Sequence, residues 1–547
     1  MLGAPITITR AAGQSFAVNT TVDAPDAVPG NGVCETASGN AVCTLRAAIQ
    51  EANALAGADT ITLPAEAFIL NIAGSDDTGL VGDLDITDDL TINSVGHALV
   101  AGGAGWSDRI FDIRTAGISV TLNNLTIAQG KASGGGGGIA SIGNLTVENS
   151  ILSGNSSGYT GGGINESSGG TLTVKNSAVT DNLAGAGGGI SMVNATLIVI
   201  GSVIADNSTS NSGGGIVSLN STLKLTDSAV SGNESTADMG GGISSGDSTL
   251  TVTGSTISGN TAHLGGSGIA NIGSTLTLSN STVSGNTTTS GAGGGINNLG
   301  ANGPYNASTA ILKNVTVANN SAPTGGGIAN GGTLKLKNTL IADNGGGSAP
   351  DCSGTLVSQG YNLIGNSAGC SGATDAVNGD LVGSPASPLG PQLGPLQDNG
   401  GATMTQALIG DSPAIDAGDP ASCPADDQRG VARPKGARCD IGAFELEAIV
   451  KQGQTIAFAA LPNKTIGEPQ FAVSATASSG LPVTFTASGQ CSITGTVVTL
   501  TGAGSCTITA HQAGNAIYNA APDVAQTFQI SASGPAHSSV YLPLLAR

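Results

Sequence analysis

Apolar and polar positions alternate with period two along most of the chain, and the alternation itself recurs. Leu172/Val174, Leu223/Leu225, Leu250/Val252 and Leu276/Leu278 are each followed, five residues past the second member, by Val179, Val230, Ile257 or Val283. Such alternation puts these side chains on one face of a strand, and no copy holds an amphipathic run of helical length. A glycine cluster closes on Ile139, Ile164, Ile190, Ile216, Ile243, Ile269, Ile296 and Ile328, at spacings of 25, 26, 26, 27, 26, 27 and 32 residues. Helical arrays are thereby excluded. Leucine-rich repeats need denser leucines, and propeller blades need a longer period with aromatic signatures. Three short strands per copy, joined by Gly/Asn/Ser turns, fill one period and return the chain one strand spacing higher, about 4.8 Å. The prediction is an all-β fold built on a parallel β-helix, right-handed because parallel crossovers nearly always are.

Two polar columns run in phase with this repeat. Asn155, Asn182, Asn207, Asn233, Asn260, Asn286, Asn320 and Asn344 form one. Asn124, Asn149, Asn176, Asp227, Asn280, Asn314 and Asn338 form the other, interrupted by Gly201 and Gly254. Stacked asparagines can hydrogen-bond from coil to coil and tolerate left-handed turn backbone. A catalytic reading would need one copy to differ from the rest, and none does, so the columns are expected to be structural ladders. The GGGI clusters are not phosphate loops, because no Lys-Ser/Thr follows and no helix opens there. They are expected to make sharp bends.

Composition narrows the partners. The 547 residues include 87 glycines and only 10% charged residues, with a net charge of −20. Nucleic acid is excluded, because its recognition needs basic stripes. The regular apolar phase argues against disorder. No run of about 18 apolar residues exists, so no transmembrane segment is expected. MLGAPITITR has no basic stretch followed by an apolar one, so no signal peptide is visible and a trimmed or misassigned start is expected. The eight cysteines fall in four close pairs, Cys34/Cys43, Cys352/Cys370, Cys423/Cys439 and Cys491/Cys506. Connectivity does not follow from sequence, but local pairing is the simple choice and the spacings do not suit zinc. Disulfides imply an oxidising compartment, outside the cell or at its surface.

Taken in order, the chain divides into an N-terminal cap (1–58), the β-helix (59–344), the end of the solenoid with its cap (345–447), a β-sandwich (453–532) and a tail (533–547). In CTLRAAIQEANALAG, the apolar Leu45, Ala48, Ile49, Ala52 and Leu55 share one helix face, with Thr44 at the N-cap and Gly57 as the stop. That helix would cover the open end of the solenoid. Residues 76–114 hold Asp76, Asp77, Asp83, Asp85, Asp88, Asp89, Asp108, Arg109, Asp112 and Arg114, with His97 nearby. A polysaccharide-cleaving site would want paired carboxylates, a cation and often calcium. Adjacent strand residues such as Asp88 and Asp89 point to opposite faces, however. The expectation is turn and solvent-face carboxylates, no catalytic residue and no obligatory cofactor, with Ca²⁺ the one ion the stretch admits. Trp106 is expected to fill an irregular coil, and Tyr305 to sit on the loop of the long copy.

Three stretches carry family resemblances. Cys43-Thr44-Leu45-Arg46-Ala47-Ala48-Ile49, with Asn31 to Cys34 upstream, resembles the CSLREA domain that begins many secreted bacterial repeat proteins. Ala47 stands where the family has the glutamate of a capping box. Gly390-Pro391 through Gly401, Ser412 to Gly418, Asp427-Gln428-Arg429-Gly430 and Asp440 to Glu445 resemble the choice-of-anchor Q domain. In that region Asp427 and Arg429 have the types of an acid/cation catalytic pair, but structural ion pairs with Arg433, Asp440 or Glu445 are the expectation. GLPVTFTASGQC and GSCTITAHQAGNAIYNAAP resemble bacterial Ig-like surface modules, with Cys491 and Cys506 clipping one hairpin. The ending SSVYLPLLAR resembles a terminal tag of secreted proteins. Together these imply a non-enzymatic cell-surface or secreted protein, structural or adhesive, with extracellular partners that include further copies of itself in an assembly. The alternatives are a β-helical polysaccharide lyase or hydrolase, and a glycan-binding module without catalysis. Aromatic content of 3% counts against the latter.

Overall fold

The computed structural model describes residues 12–301, 303, 305–447, 451–515 and 518–534, so the tail motif at 538–547 lies outside the described residues. The chain forms two compact units, Met1–Leu446 and Glu447–Arg547. In the first unit, parallel strands build sheets of 22, 12 and 7 strands. Ile164, Ile190, Ile216, Ile243, Ile269, Ile296 and Ile328 sit directly on one another in the 12-stranded sheet. Leu172, Leu197, Leu223, Leu250 and Leu276 stack in the same way in the 22-stranded sheet. All these side chains are fully buried in one continuous core. Each contributes about 2 kcal/mol by leaving water. This is a parallel β-helix.

The turn columns divide the work between them. In the first, Asn155 Nδ2 donates to Asn182 Oδ1 at 3.0 Å, and the pattern repeats through Asn207, Asn233, Asn260, Asn286 and Asn320 to Asn344. Each amide oxygen also accepts the backbone N–H of the preceding asparagine. The residue just before, such as Asp181, Asp206, Asn319 or Asp343, takes the positive φ. In the second column the asparagines themselves are left-handed, with φ between 45° and 62°. A serine ladder beside it escapes sequence reading. Backbone N–H groups of Ser150, Ser177, Ser202, Ser228 and Ser255 donate to the hydroxyl of the serine one coil on. In the glycine clusters, a Cβ on Gly189 would lie 2.7 Å from Gly215 O, so the bend requires glycine.

Helix α1 (Leu45–Ala54) closes the start of the core, with Leu45, Ala48, Ile49 and Ala52 buried in it. Thr44 accepts the N–H of Ala47 at 3.0 Å, as an N-cap should. The helix ends at Leu55 in extended conformation, two residues before Gly57, so the predicted glycine stop is replaced by an early break.

Disulfides join Cys34–Cys43, Cys352–Cys370, Cys423–Cys439 and Cys491–Cys506. The final coils reach Leu381–Val382. Residues 391–446 then fold back along the flank of the coils, which differs from a lid confined to the far end. Gln428 Nε2 donates to Thr256 Oγ1 at 2.9 Å, Thr282 Oγ1 donates to Gln428 Oε1 at 2.6 Å, and Ala443 N donates to Thr316 Oγ1 at 3.0 Å. Leu340, Leu363, Leu408, Ala414, Ile441 and Phe444 form the apolar seam.

In the second unit, mainly antiparallel sheets of four, three and two strands enclose Phe458, Val498, Ile508 and Phe528. Cys491–Cys506 ties Cys491–Thr494 of the three-stranded sheet to Gly504–His511 of the four-stranded one, so it crosses between sheets where a clip within one hairpin was expected. No helix of the described residues is long and apolar enough to cross a membrane.

Candidate functional site

The densest charge lies where the solenoid begins. Leu84–Ile86 pairs in parallel with Phe111–Ile113, which stacks Asp85 directly under Asp112. Like charges in register on neighbouring strands repel. The loop at 74–82 covers them, held down by Gly82 N donating to Ile72 O at 2.8 Å. The polar face of α1 holds the chain leading in. Arg46 donates to the carbonyls of Gly79, Gly82 and Asp83 at 3.1, 2.8 and 3.1 Å and pairs with Asp23 at 2.7 Å. Gln50 donates to Gly79 O, and Asn53 to Asp85 O. Residues 46, 50 and 53 recur at helical spacing, but an apolar-face reading treats that side as solvent. Arg46 is in fact 1% exposed.

Asp83, Asp85 and Asp112 converge, each with one carboxylate oxygen within 4.8 Å of the others'. Arg109 lies 2.5 Å from Asp112 Oδ2 and 3.5 Å from Asp83 Oδ2. Arg114 lies 2.8 Å from the same Asp112 oxygen, 3.0 Å from Asp77 and 3.6 Å from Asp85. Burial pushes the Asp83 carboxyl up to about 8, reinforced by Asp108, Asp85 and Asp112. Burial and Asp112 push Asp85 up to about 6. Burial also raises Asp112, against the pull of Arg109 and Arg114. The expectation of turn and solvent-face carboxylates is therefore corrected for Asp83, Asp85, Asp89 and Asp112. All four are buried, Asp83, Asp85 and Asp112 because the loop folds over an outward face that strand periodicity alone leaves open, and Asp89 where it accepts the Ser119 N–H.

Asp88, Asp89, His97 and Arg109 do not form the constellation a polysaccharide-cleaving site would want. Asp88 accepts the N–H of Asp89, and Asp89 accepts the N–H of Ser119 at 2.7 Å. His97 is exposed at a left-handed irregularity within the strand Leu90–Gly102, and Arg109 belongs to the acidic cluster. Trp106 is buried and donates to Arg109 O at 3.1 Å, so it fills the coil. Tyr305 is 37% exposed on its loop. In the flank segment, Asp427 pairs with Arg429 itself at 2.8 Å, and Arg433 lies 3.5 Å from Glu445. Arg429 also stacks on Phe444, 3.6 Å from the ring centre. These groups are enclosed, and burial lifts Asp440 to about 7.

One buried acid went unnoticed in sequence. Glu166 points into the core between Ser141 and Met192, fully buried. No donor meets full hydrogen-bond geometry at either carboxylate oxygen, the Ser141 hydroxyl and the Ser167 N–H being the nearby ones. Burial pushes its carboxyl up to about 8, against weaker pulls from the Ser141 hydroxyl and the Ser167 N–H. It occupies a position that reads as serine or methionine in neighbouring coils, which was the available signal.

No family model and no curated protein matches the chain. Among solved structures it is similar to pectate lyase Pel9A, with a TM-score of 0.40 and 15% identity over 80% of this chain and 97% of that one. A likeness that distant carries no argument about chemistry.

Proposed function

We propose that the chain is a non-enzymatic secreted or cell-surface protein of structural or adhesive type, in which a β-helical stalk is followed in sequence by an Ig-like module. One observation carries this reading. The ladder from Asn155 to Asn344 repeats the same buried hydrogen bonds in coil after coil, so these coils are specialised for holding their shape. The carboxylates that converge, Asp83, Asp85 and Asp112, are buried, so they offer little surface to a polymer chain. The four disulfides fit an oxidising compartment. The CSLREA-like start and the choice-of-anchor Q-like segment belong to the same reading, since such chains are held at cell surfaces by varied C-terminal devices. The flank covered from Ser255 onward is left open earlier, where Ile151 and Val203 are 39% and 41% exposed, and this suits lateral contact with a partner or a second copy.

Incubation with pectin, alginate and related polymers, with and without calcium, tests the non-enzymatic part. No unsaturated or shortened product is expected, and turnover proportional to protein concentration would defeat the reading. Electron microscopy of the purified protein tests assembly, with filaments or a lattice expected if copies associate.

A further inference from the structure

The acidic cluster under the loop has a use that the stalk reading does not require. We propose that Asp83, Asp85 and Asp112 hold one hard divalent cation of the calcium class, tying Leu84–Ile86 to Phe111–Ile113 beneath the capping loop. Geometry supports this first. Calcium sits about 2.3–2.6 Å from its oxygens, so ligands on opposite sides are about 4.6–5.2 Å apart. The three carboxylate oxygens lie within 4.8 Å of one another.

Asp85 supplies the second, separate observation. Its side chain is 1% exposed, it aims into the cluster, and no donor meets hydrogen-bond geometry at either oxygen, the nearby Gly79 N–H favouring its charged form only weakly against burial. The nearest cation, Arg114 Nη1, stays 3.6 Å from Oδ1 because it is drawn to Asp112 and Asp77. A buried carboxylate without a hydrogen bond is costly unless a charge compensates it. The guanidiniums supply that charge only in part. Arg109 and Arg114 converge on the same oxygen, Asp112 Oδ2, and face Asp77, Asp83, Asp85, Asp108 and Asp112. With all five carboxylates ionised, as ligation of an ion requires of its donors, three negative charges are in excess, and a divalent ion reduces that to one.

The ligand set selects the ion. All three side-chain donors are carboxylate oxygens, with no histidine or cysteine in the cluster, which favours calcium or magnesium over zinc or copper. Placement is also built in advance. Arg46, Gln50 and Asn53 fix the carbonyls of Gly79, Gly82, Asp83 and Asp85, so the backbone carrying two of the ligands is held by a helix. Preorganisation of this kind lowers the ordering needed on binding.

The test uses the full chain, stripped with a chelator and dialysed, then titrated with CaCl2 and separately with MgCl2 by isothermal calorimetry. One saturable calcium site per chain is expected, with a Kd below about 1 mM. Asp85→Asn should weaken it at least tenfold, and Asp83→Asn should do the same, while Asp181→Asn on an exposed turn should leave it unchanged. Thermal melts give an independent readout. Calcium should raise the Tm of the unsubstituted chain and not that of D85N, whereas in chelator D85N should melt no lower than the parent. Absence of saturable binding would overturn the proposal, as would binding that survives both substitutions. Polymer turnover does not enter this test, so its outcome is independent of the non-enzymatic reading.

Discussion

Asn233 shows what one residue does in this fold. Its amide oxygen accepts both the backbone N–H and the side-chain N–H of Asn207, and its own Nδ2 donates to Ile204 O and Asn260 Oδ1. Asn233→Ala should strand several of these buried groups at once and cost about 3 kcal/mol, measurable as a fall in denaturation midpoint. Glu166 is the opposite case, a residue that opposes folding. Its carboxyl titrates at about 8 in the folded chain against an ordinary 4.5. Between those values the unfolded chain has lost its proton while the folded chain keeps it. The unfolded state therefore binds fewer protons, and stability falls as pH rises from about 4.5 to about 8. Glu166→Gln should remove that component, so the gain in Tm over the parent should be larger at pH 8 than at pH 4.5. An equal gain at both pH values would show that Glu166 is not held neutral. The asparagines were legible in sequence because a ladder needs the same residue at every coil. Glu166 was not, because a single exception inside a period-two pattern looks like an ordinary outward position.

At the scale of elements, α1 was legible by half. Its apolar face and N-cap follow from spacing, and both are found where spacing puts them. Its polar face does not read as a contact surface, because apart from Asp23 the partners of Arg46, and those that Gln50 and Asn53 donate to, are backbone carbonyls more than 25 residues away, which leave no side-chain signature. Arg46→Met should cost about 3–5 kcal/mol, since it leaves Asp23 without its buried cation and frees three carbonyls. Amide hydrogen exchange should accelerate at Gly79–Asp85 and leave the ladder coils unchanged. Equal acceleration throughout would mean that the helix supports the whole core and not this loop. The segment 391–446 was also only half legible. Its strands and cysteines can be read, but Gln428 meets Thr256 across 172 residues, and no local pattern reports such a contact.

The whole first unit behaves as a one-dimensional stack, in which each coil contacts chiefly its neighbours and exposed ends are the weak points. Periodicity fixed this architecture, because a 25–27-residue repeat with period-two alternation has few other ways to bury one apolar face. Chemistry was less accessible. The cluster of Asp83, Asp85 and Asp112 arises from coil-to-coil register plus an overlying loop, and both are three-dimensional facts. The account rests on the middle coils acting as one persistent rigid body. Hydrogen exchange read by mass spectrometry across residues 138–344 tests that most directly. The account predicts that amides in the asparagine and serine ladders exchange together, slowest in the chain, at a rate set by unfolding of the stack. Rapid, coil-by-coil exchange in the interior of that segment would contradict it.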